Sequence, residues 1–327
     1  MKNLDKYKYN KVLILGVSSF AGFSFANYLA NKQFNIIGSY NNKKNYHFKK
    51  NKHLKLIKID LEKENDLLVK TVKKYKPNYI IDFASICMVN ESWTHPLKYF
   101  KINSFSRIKF IQYISNKDYV RKFIYISTPE VFGDTDKSLN EKLNVYKPST
   151  PYASSKLFVE NLIKNFSNKN KFNIARFSNF YGPEQPLYRL IPKIIFSIKN
   201  NKKFPLHGNG SSKRNYLYSQ DFCEGIFKIM KSKTSNQTYH FSGKNLYSVK
   251  EIVNKVCKIF TKDYKKFVIQ KKDRTNKDNI YKLNCDLTCK LLNWKPKVSI
   301  DTGIKEIIKS MNIKNDKKNS KPTFFKI

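Results

Sequence analysis

Tyr152-Ala153-Ser154-Ser155-Lys156 sets a phenol and an ammonium four residues apart, one helical turn and one helical face. An ammonium held near a phenol lowers its pKa from about 10, which would make Tyr152 a usable base near neutral pH. The spacing alone is common on solvent-facing helices. Its setting singles it out, because Ser127-Thr128-Pro129-Glu130-Val131-Phe132-Gly133 precedes it at the end of a β-branched run. From a strand end, Thr128 could hydrogen-bond the same substrate hydroxyl.

Gly16-Val17-Ser18-Ser19-Phe20-Ala21-Gly22 follows an earlier apolar run and leads into a helix. Small residues there let backbone N–H groups and the helix dipole meet a pyrophosphate. Ser19 takes the middle glycine's place in a GxxGxxG pattern, and any strand-to-helix turn favours Gly and Ser. Asp60 could meet an adenine amino group or cap a helix beginning at Glu62. The second strand ends Ile37-Gly38-Ser39-Tyr40-Asn41-Asn42-Lys43-Lys44, without the acidic residue that holds a ribose 2′-hydroxyl. Ser39 and the two lysines lean the cofactor toward NADP, although Lys is abundant everywhere in this chain.

The elements that must position these groups are legible as period-two runs alternating with helical patterns. Strands are expected at 11–15, 35–38, 53–59, 79–83, 122–127 and 173–177. Helices are expected at 20–31, 62–75, 96–116 and 152–168. That order predicts an α/β fold, a doubly wound parallel sheet. After Arg176, Pro183, Pro186, Pro192, Pro205, Gly208 and Gly210 punctuate shorter elements, as in a smaller lobe over the strand ends. The division expected is a Rossmann domain over 1–178 with a return segment near 215–245, a lobe over 179–310 and a frayed tail over 311–327.

The formal charge of +40 suggests a nucleic-acid binder, but of 64 basic residues only six are Arg and Lys is spread along the chain. Base and phosphate readers gather Arg forks into one patch, so the expectation is no specific nucleic-acid partner. Five cysteines, with only Cys285 and Cys289 close in sequence and no companion ligands, exclude a patterned metal site and suit free thiols in a reducing compartment. The apolar run after the Lys-rich start imitates a signal peptide until Ser18, Ser19 and Asn27 break it. No stretch approaches the ~18 apolar residues of a membrane span. A soluble, cytoplasmic protein is expected.

From Lys11 to about Ile308 the chain resembles the extended short-chain dehydrogenase/reductases, in the sugar-nucleotide epimerase and dehydratase group. The motifs above carry the resemblance, together with Asp82-Phe83-Ala84-Ser85, Arg176-Phe177-Ser178-Asn179-Phe180-Tyr181-Gly182-Pro183 and Leu190-Ile191-Pro192. Pro205-Leu206-His207-Gly208, Arg214 with Tyr218 and Asp221, and Arg274, Asp278 and Tyr281 match the family's nucleotide-sugar lobe, with Thr275-Asn276 in place of a Pro-Gly.

The resemblance implies a tightly bound, recycled NAD or NADP at Gly16, Ser19, Phe20, Ala21, Gly22, Ser39, Asp60, Leu61, Phe83, Ala84, Ser85, Asn103, Tyr152 and Lys156. It implies a nucleoside-diphosphate sugar against Ser92, Thr128, Asn179, Leu190, Ile191, Pro205, His207, Arg214, Arg274 and Tyr281. It also implies a homodimer paired through the helices at 96–116 and 152–168, whose Phe100, Ile108, Ile111, Phe158 and Leu162 could equally be core.

Within the family a carboxylate after Thr128 marks dehydratases and a decarboxylase, so the resemblance makes Glu130 catalytic beside Thr128, Tyr152 and Lys156. The alternative is a salt-bridged loop carboxylate. A 4,6-dehydratase is expected, similar to those acting on dTDP-glucose or GDP-mannose. One departure matters: glucose-type members resemble Thr-Asp-Glu here, and Pro129 replaces the Asp that serves as acid. An epimerase, decarboxylase or reductase using the same Tyr152 remains the alternative, and a polyanion-binding or scaffold protein the non-enzymatic one.

Overall fold

The computed structural model describes residues 10–30, 32–41, 53–63, 65–166, 171–273 and 280–311. Lys43, Lys44, Arg274 and Asp278, and all of the expected tail beyond Met311, lie outside the described residues. Seven strands form one parallel sheet: β1 (Lys11–Leu15), β2 (Asn35–Tyr40), β3 (Leu54–Lys58), β4 (Tyr79–Asp82), β5 (Lys122–Ser127), β6 (Phe172–Phe177) and β7 (Gln237–Phe241). Their order is β7-β6-β5-β4-β1-β2-β3, the doubly wound arrangement. The expected six strands are present. The seventh reaches the edge beside β6 from far along the chain, pairing Gln237 with Asn173.

Both faces of the sheet are covered, and β1 shows why its sequence is continuously apolar. Val12 and Ile14 enter one core with α1 (Phe20–Leu29) and the helix Ser219–Lys231. Leu13 and Leu15 enter the opposite core with α2 (Asn65–Tyr75). A third cluster, including Ile194, Leu206, Ile252 and Ile304, forms the core of the elements that follow β6.

One expected helix is broken. Residues 96–116 form α3 (Pro96–Asn103), a 3-10 turn (Phe105–Arg107) and α4 (Ile108–Ser115). Arg107 turns inward to a two-pronged bond with Asp82 (2.9 and 3.0 Å), and Ser104 Oγ donates to the Ser155 carbonyl (2.8 Å). The helical path is interrupted at Ser104 (φ −120°, ψ −68°), three residues before the arginine that bonds the β4 carboxylate. Ile111 is fully buried, so it is core and cannot belong to an exposed pairing face. Leu162 and Phe158 likewise pack on the core, whereas Ile108 is exposed.

Among the described residues no helix is long and apolar enough to cross a membrane, and no cluster of His, Cys, Asp and Glu could hold a metal ion. All five cysteines are free; Cys285 and Cys289 lie 3.9 Å apart, sulfur to sulfur.

Candidate active site

The parallel sheet brings one strand end after another to a common edge. Gly16 follows β1, Ser39 lies near the end of β2, Asp60 follows β3, Ala84 follows β4 and Thr128 follows β5. Gly16 has φ +74°, and a side chain there would place Cβ 2.7 Å from the Ala84 Cα; at Gly22 it would fall 2.3 Å from the Gly16 oxygen. Ser19, in the extended conformation, caps α1 by accepting from the Gly22 N–H at 3.0 Å. The turn is a cradle that any Cβ would fill, directly at a helix N-terminus, and it fits a dinucleotide pyrophosphate.

Several expected cofactor residues have side chains with partners or packing within the chain. Ser39 is buried and accepts from the Gly16 N–H (3.1 Å), so it braces the turn. Asp60 accepts from the Glu62 N–H (3.0 Å) within a turn, and α2 begins only at Asn65, so the expected cap of a helix starting at Glu62 is not formed. Leu61 and Phe83 are core side chains, and Phe20 stacks on Phe180 with centroids 4.6 Å apart. Ala21 packs against the same core, and Ala84 and Ser85 are half-buried. Asn103 accepts from the Ile86 N–H (2.9 Å) and donates to the Ile86 carbonyl and to Ser155 Oγ, clamping the loop after β4 to the Tyr–Lys helix.

That helix, α5 (Pro151–Asn165), starts with Pro at its first position and Thr150 as cap, whose Oγ1 accepts from the Ala153 N–H (3.1 Å). Tyr152 and Lys156 are both buried. Burial pushes the Tyr152 phenol well above its ordinary value, with Cys87 and Glu130 adding to the rise and Arg189 opposing it. Burial also lowers the Lys156 ammonium to about 7 while it lies 4.2 Å from the Tyr125 ring centroid. The expected one-way effect of Lys156 on Tyr152 is therefore corrected: desolvation dominates both groups.

Thr128 caps a 3-10 turn (Pro129–Phe132), its Oγ1 accepting from the Glu130 N–H at 3.3 Å. Glu130 raises the phenols of both Tyr152 and Tyr281, which places its carboxylate within electrostatic reach of each. Tyr281 donates to Asn179 Oδ1 (2.8 Å), and the Arg214 guanidinium lies 4.2 Å from its ring centroid. The structure thus brings Asn179, Arg214 and Tyr281 together.

Other expected substrate residues also have contacts within the chain. Ser92 is fully buried and donates to the Val89 carbonyl (2.6 Å). Ile191 is core and Leu190 packs against it, because the apolar face of the helix Leu190–Lys199 fills the third cluster. Pro205 pairs with Ile269 in a two-stranded ladder, and His207 Nδ1 lies 3.0 Å from the Lys272 carbonyl. Asp221 accepts from the Lys297 and Val298 N–H groups (2.9 Å each), a structural task.

Sequence reasoning missed Asp82–Arg107 beneath the loop after β4, and Arg189, whose terminal nitrogen lies 3.0 Å from Cys87 Sγ. The available signal was the scarcity of Arg: Arg189 directly precedes the Leu190-Ile191-Pro192 motif.

Comparison with known proteins agrees with this geometry. The family model for GDP-mannose 4,6 dehydratase matches residues 13–307. A dTDP-D-glucose 4,6-dehydratase of Dictyostelium discoideum is 27% identical, over 94% of this chain and 82% of the relative. Among solved structures, an epimerase of Methanothermobacter thermautotrophicus superposes with TM-score 0.87 at 20% identity, covering 97% of this chain and 98% of the other. A dTDP-glucose 4,6-dehydratase of Streptomyces venezuelae, solved with NAD bound, gives 0.83 at 22%, covering 92% and 96%. These structural likenesses speak for the fold. With nearly the whole described length matched, strand ends, glycine turn and Tyr–Lys helix included, the chain belongs to the GDP-mannose 4,6-dehydratase family.

Proposed function

We propose that the protein is an NAD-dependent nucleotide-sugar 4,6-dehydratase whose substrate is a nucleoside-diphosphate hexose. The observation that carries this reading is Glu130, a carboxylate on the Thr128 turn within electrostatic reach of both Tyr152 and Tyr281. The Gly16 turn and the backbone of Ala84 would hold the dinucleotide. NAD is favoured over NADP because Ser39 is engaged by Gly16 and a dTDP-glucose 4,6-dehydratase of the same fold is solved with NAD bound. When bound, the cofactor would supply the acceptor for the C4 hydride and the donor that returns it to C6 after water is lost.

Tyr152 takes the proton of the C4 hydroxyl while Thr128 holds the same oxygen. The resulting ketone acidifies the C5 proton, which Glu130 removes. Pro129 has nothing to donate, so Glu130 or a water protonates the departing C6 hydroxyl. Asn179, Arg214 and Tyr281 suit the diphosphate, Arg214 by its fork of donors. Residues 1–178 with 215–245 would form the cofactor domain and 179–310 the substrate lobe, which has its own core. A homodimer is part of the proposal, through the exposed Trp93, Leu97, Phe105 and Ile108. So is a cytoplasmic location, which suits five free thiols.

The test is incubation with GDP-mannose, dTDP-glucose, UDP-glucose, UDP-N-acetylglucosamine and UDP-glucuronate, with product mass as readout. Loss of one water is expected, and Glu130→Gln should slow it by roughly 10²-fold or more. Pro129 favours a second reading, an epimerase, which an unchanged mass with an inverted stereocentre would establish; loss of carbon dioxide from UDP-glucuronate would mean a decarboxylase.

A further inference from the structure

Cys285 immediately precedes the helix Asp286–Leu292 and Cys289 lies within it, at the spacing that puts both in one stripe with the buried Thr288 and Leu292. Both thiols pack against the core that holds Phe241 and Trp294. Their sulfurs are 3.9 Å apart, and the Cys289 N–H donates to the Cys285 carbonyl (2.8 Å), which sets the two backbones one helical turn from each other. Thr288 fixes the face they share: its N–H and Oγ1 donate to Glu141 Oε1 (3.0 and 2.7 Å), and Oγ1 accepts from the His240 N–H on β7 (2.8 Å). Cys285 and Cys289 are half-buried and within reach of a small reagent, whereas Cys223 and Cys257 are buried. One helical turn separates Cα atoms by about 6 Å. That lies inside the roughly 4.4–6.8 Å a disulfide spans, and closure needs the sulfurs to approach to about 2 Å.

We propose that Cys285 and Cys289 are a redox modification site, a dithiol that closes reversibly to an intramolecular disulfide by exchange with a small-molecule disulfide such as oxidised glutathione. The Cys289 thiolate attacks one sulfur of the oxidant, forming a mixed disulfide and releasing one glutathione. Cys285 then attacks Cys289 Sγ and releases the second. Two protein thiols are oxidised as one glutathione disulfide is reduced to two thiols, and each proton given up by a cysteine passes to a departing glutathione thiolate. Cys289 reacts first: burial pushes the Cys285 thiol up to about 12 and raises Cys289 as well, but a hydrogen bond from Cys285 offsets part of the rise at Cys289. In a reducing compartment the pair rests as thiols and closes only when the oxidant accumulates. The bond forms just after Asn284, whose N–H donates to the Leu139 carbonyl (2.8 Å).

The test equilibrates the full, folded chain in mixtures of oxidised and reduced glutathione, then unfolds it in excess alkylating reagent and digests it with trypsin. Cleavage after Lys282 and Lys290 releases both cysteines in one peptide, residues 283–290. The expected product is that peptide unalkylated and lighter by two hydrogen atoms than its reduced form, a change that dithiothreitol reverses. Its equilibrium constant for closure should exceed that of the same chain held unfolded in urea by about tenfold or more, because the fold already holds the sulfurs together. Cys285→Ser should stop at a glutathione adduct on Cys289. Recovery of both cysteines alkylated, a lasting glutathione adduct in the unsubstituted chain, or a constant no larger than that of the unfolded chain would each overturn the assignment. The main measurement needs neither a variant nor turnover, so its result stands apart from the dehydratase reading.

Discussion

Two successive turns of α5 bury charge in opposite ways. In the first, Tyr152 and Lys156 are each pushed toward neutrality, the phenol upward and the ammonium down to about 7. In the next, Glu160 is equally buried yet meets Arg176 through both carboxylate oxygens, one at 2.9 Å. Arg176 also donates to the Tyr146 hydroxyl (3.0 Å) and lies 3.2 Å from His240 Nε2. Helix and degree of burial are shared, so the difference is the supply of partners. A fully partnered charge pair fixes the helix to β6, whereas an under-partnered pair keeps the freedom to change protonation that acid–base work requires.

The largest expected effect is at the first turn. Tyr152→Phe should cut turnover by roughly 10²- to 10⁴-fold while calorimetry shows dinucleotide binding intact; retained turnover would erase the functional side of the contrast. At the second turn, Arg176→Met strands a buried carboxylate and should cost about 3–5 kcal/mol in urea unfolding. The double variant Arg176→Met with Glu160→Leu should recover most of that, which sharpens the claim that the pair is structural.

Lys156 provides a pH test of the first turn. Its folded pKa lies below the ordinary 10.5, so between about 7 and 10.5 the unfolded chain binds more protons and stability rises with pH. Lys156→Met should accordingly be more stable than the unsubstituted protein below about pH 7, with the lead shrinking as pH approaches 10.5. A gap independent of pH would show that the ammonium is not desolvated. The smallest effect is at the cap: Thr150→Ala should cost about 1 kcal/mol of stability and disturb Tyr152 slightly through the loosened first turn.

Legibility in the sequence followed the range of the interactions. The six early strands, the glycine turn and the Tyr152/Lys156 face were readable because side-chain alternation and helical spacing act over a few residues. A boundary was missed where long-range partners gather, as at Ser104, which bonds the Ser155 carbonyl where residues 96–116 are split. The inward turn of Ser39, Leu61, Phe83, Ser92, Asn103 and Ile191 was not legible for a related reason. Their positions along the chain were compatible with lining a ligand, but the direction each side chain takes depends on packing against residues remote in sequence.

By itself the sequence determined the alternation of strands and helices, the small-residue turn at Gly16 and the presence of a phenol and an amine on one helical face, all set by local stereochemistry and hydrophobic period. Only the tertiary structure decided that burial pushes both Tyr152 and Lys156 toward neutrality, that Glu160 is paired with Arg176, and that Arg189 reaches Cys87 across 102 residues of chain. Desolvation and Coulomb forces depend on distance in space and on excluded water, and neither quantity exists until the chain has folded.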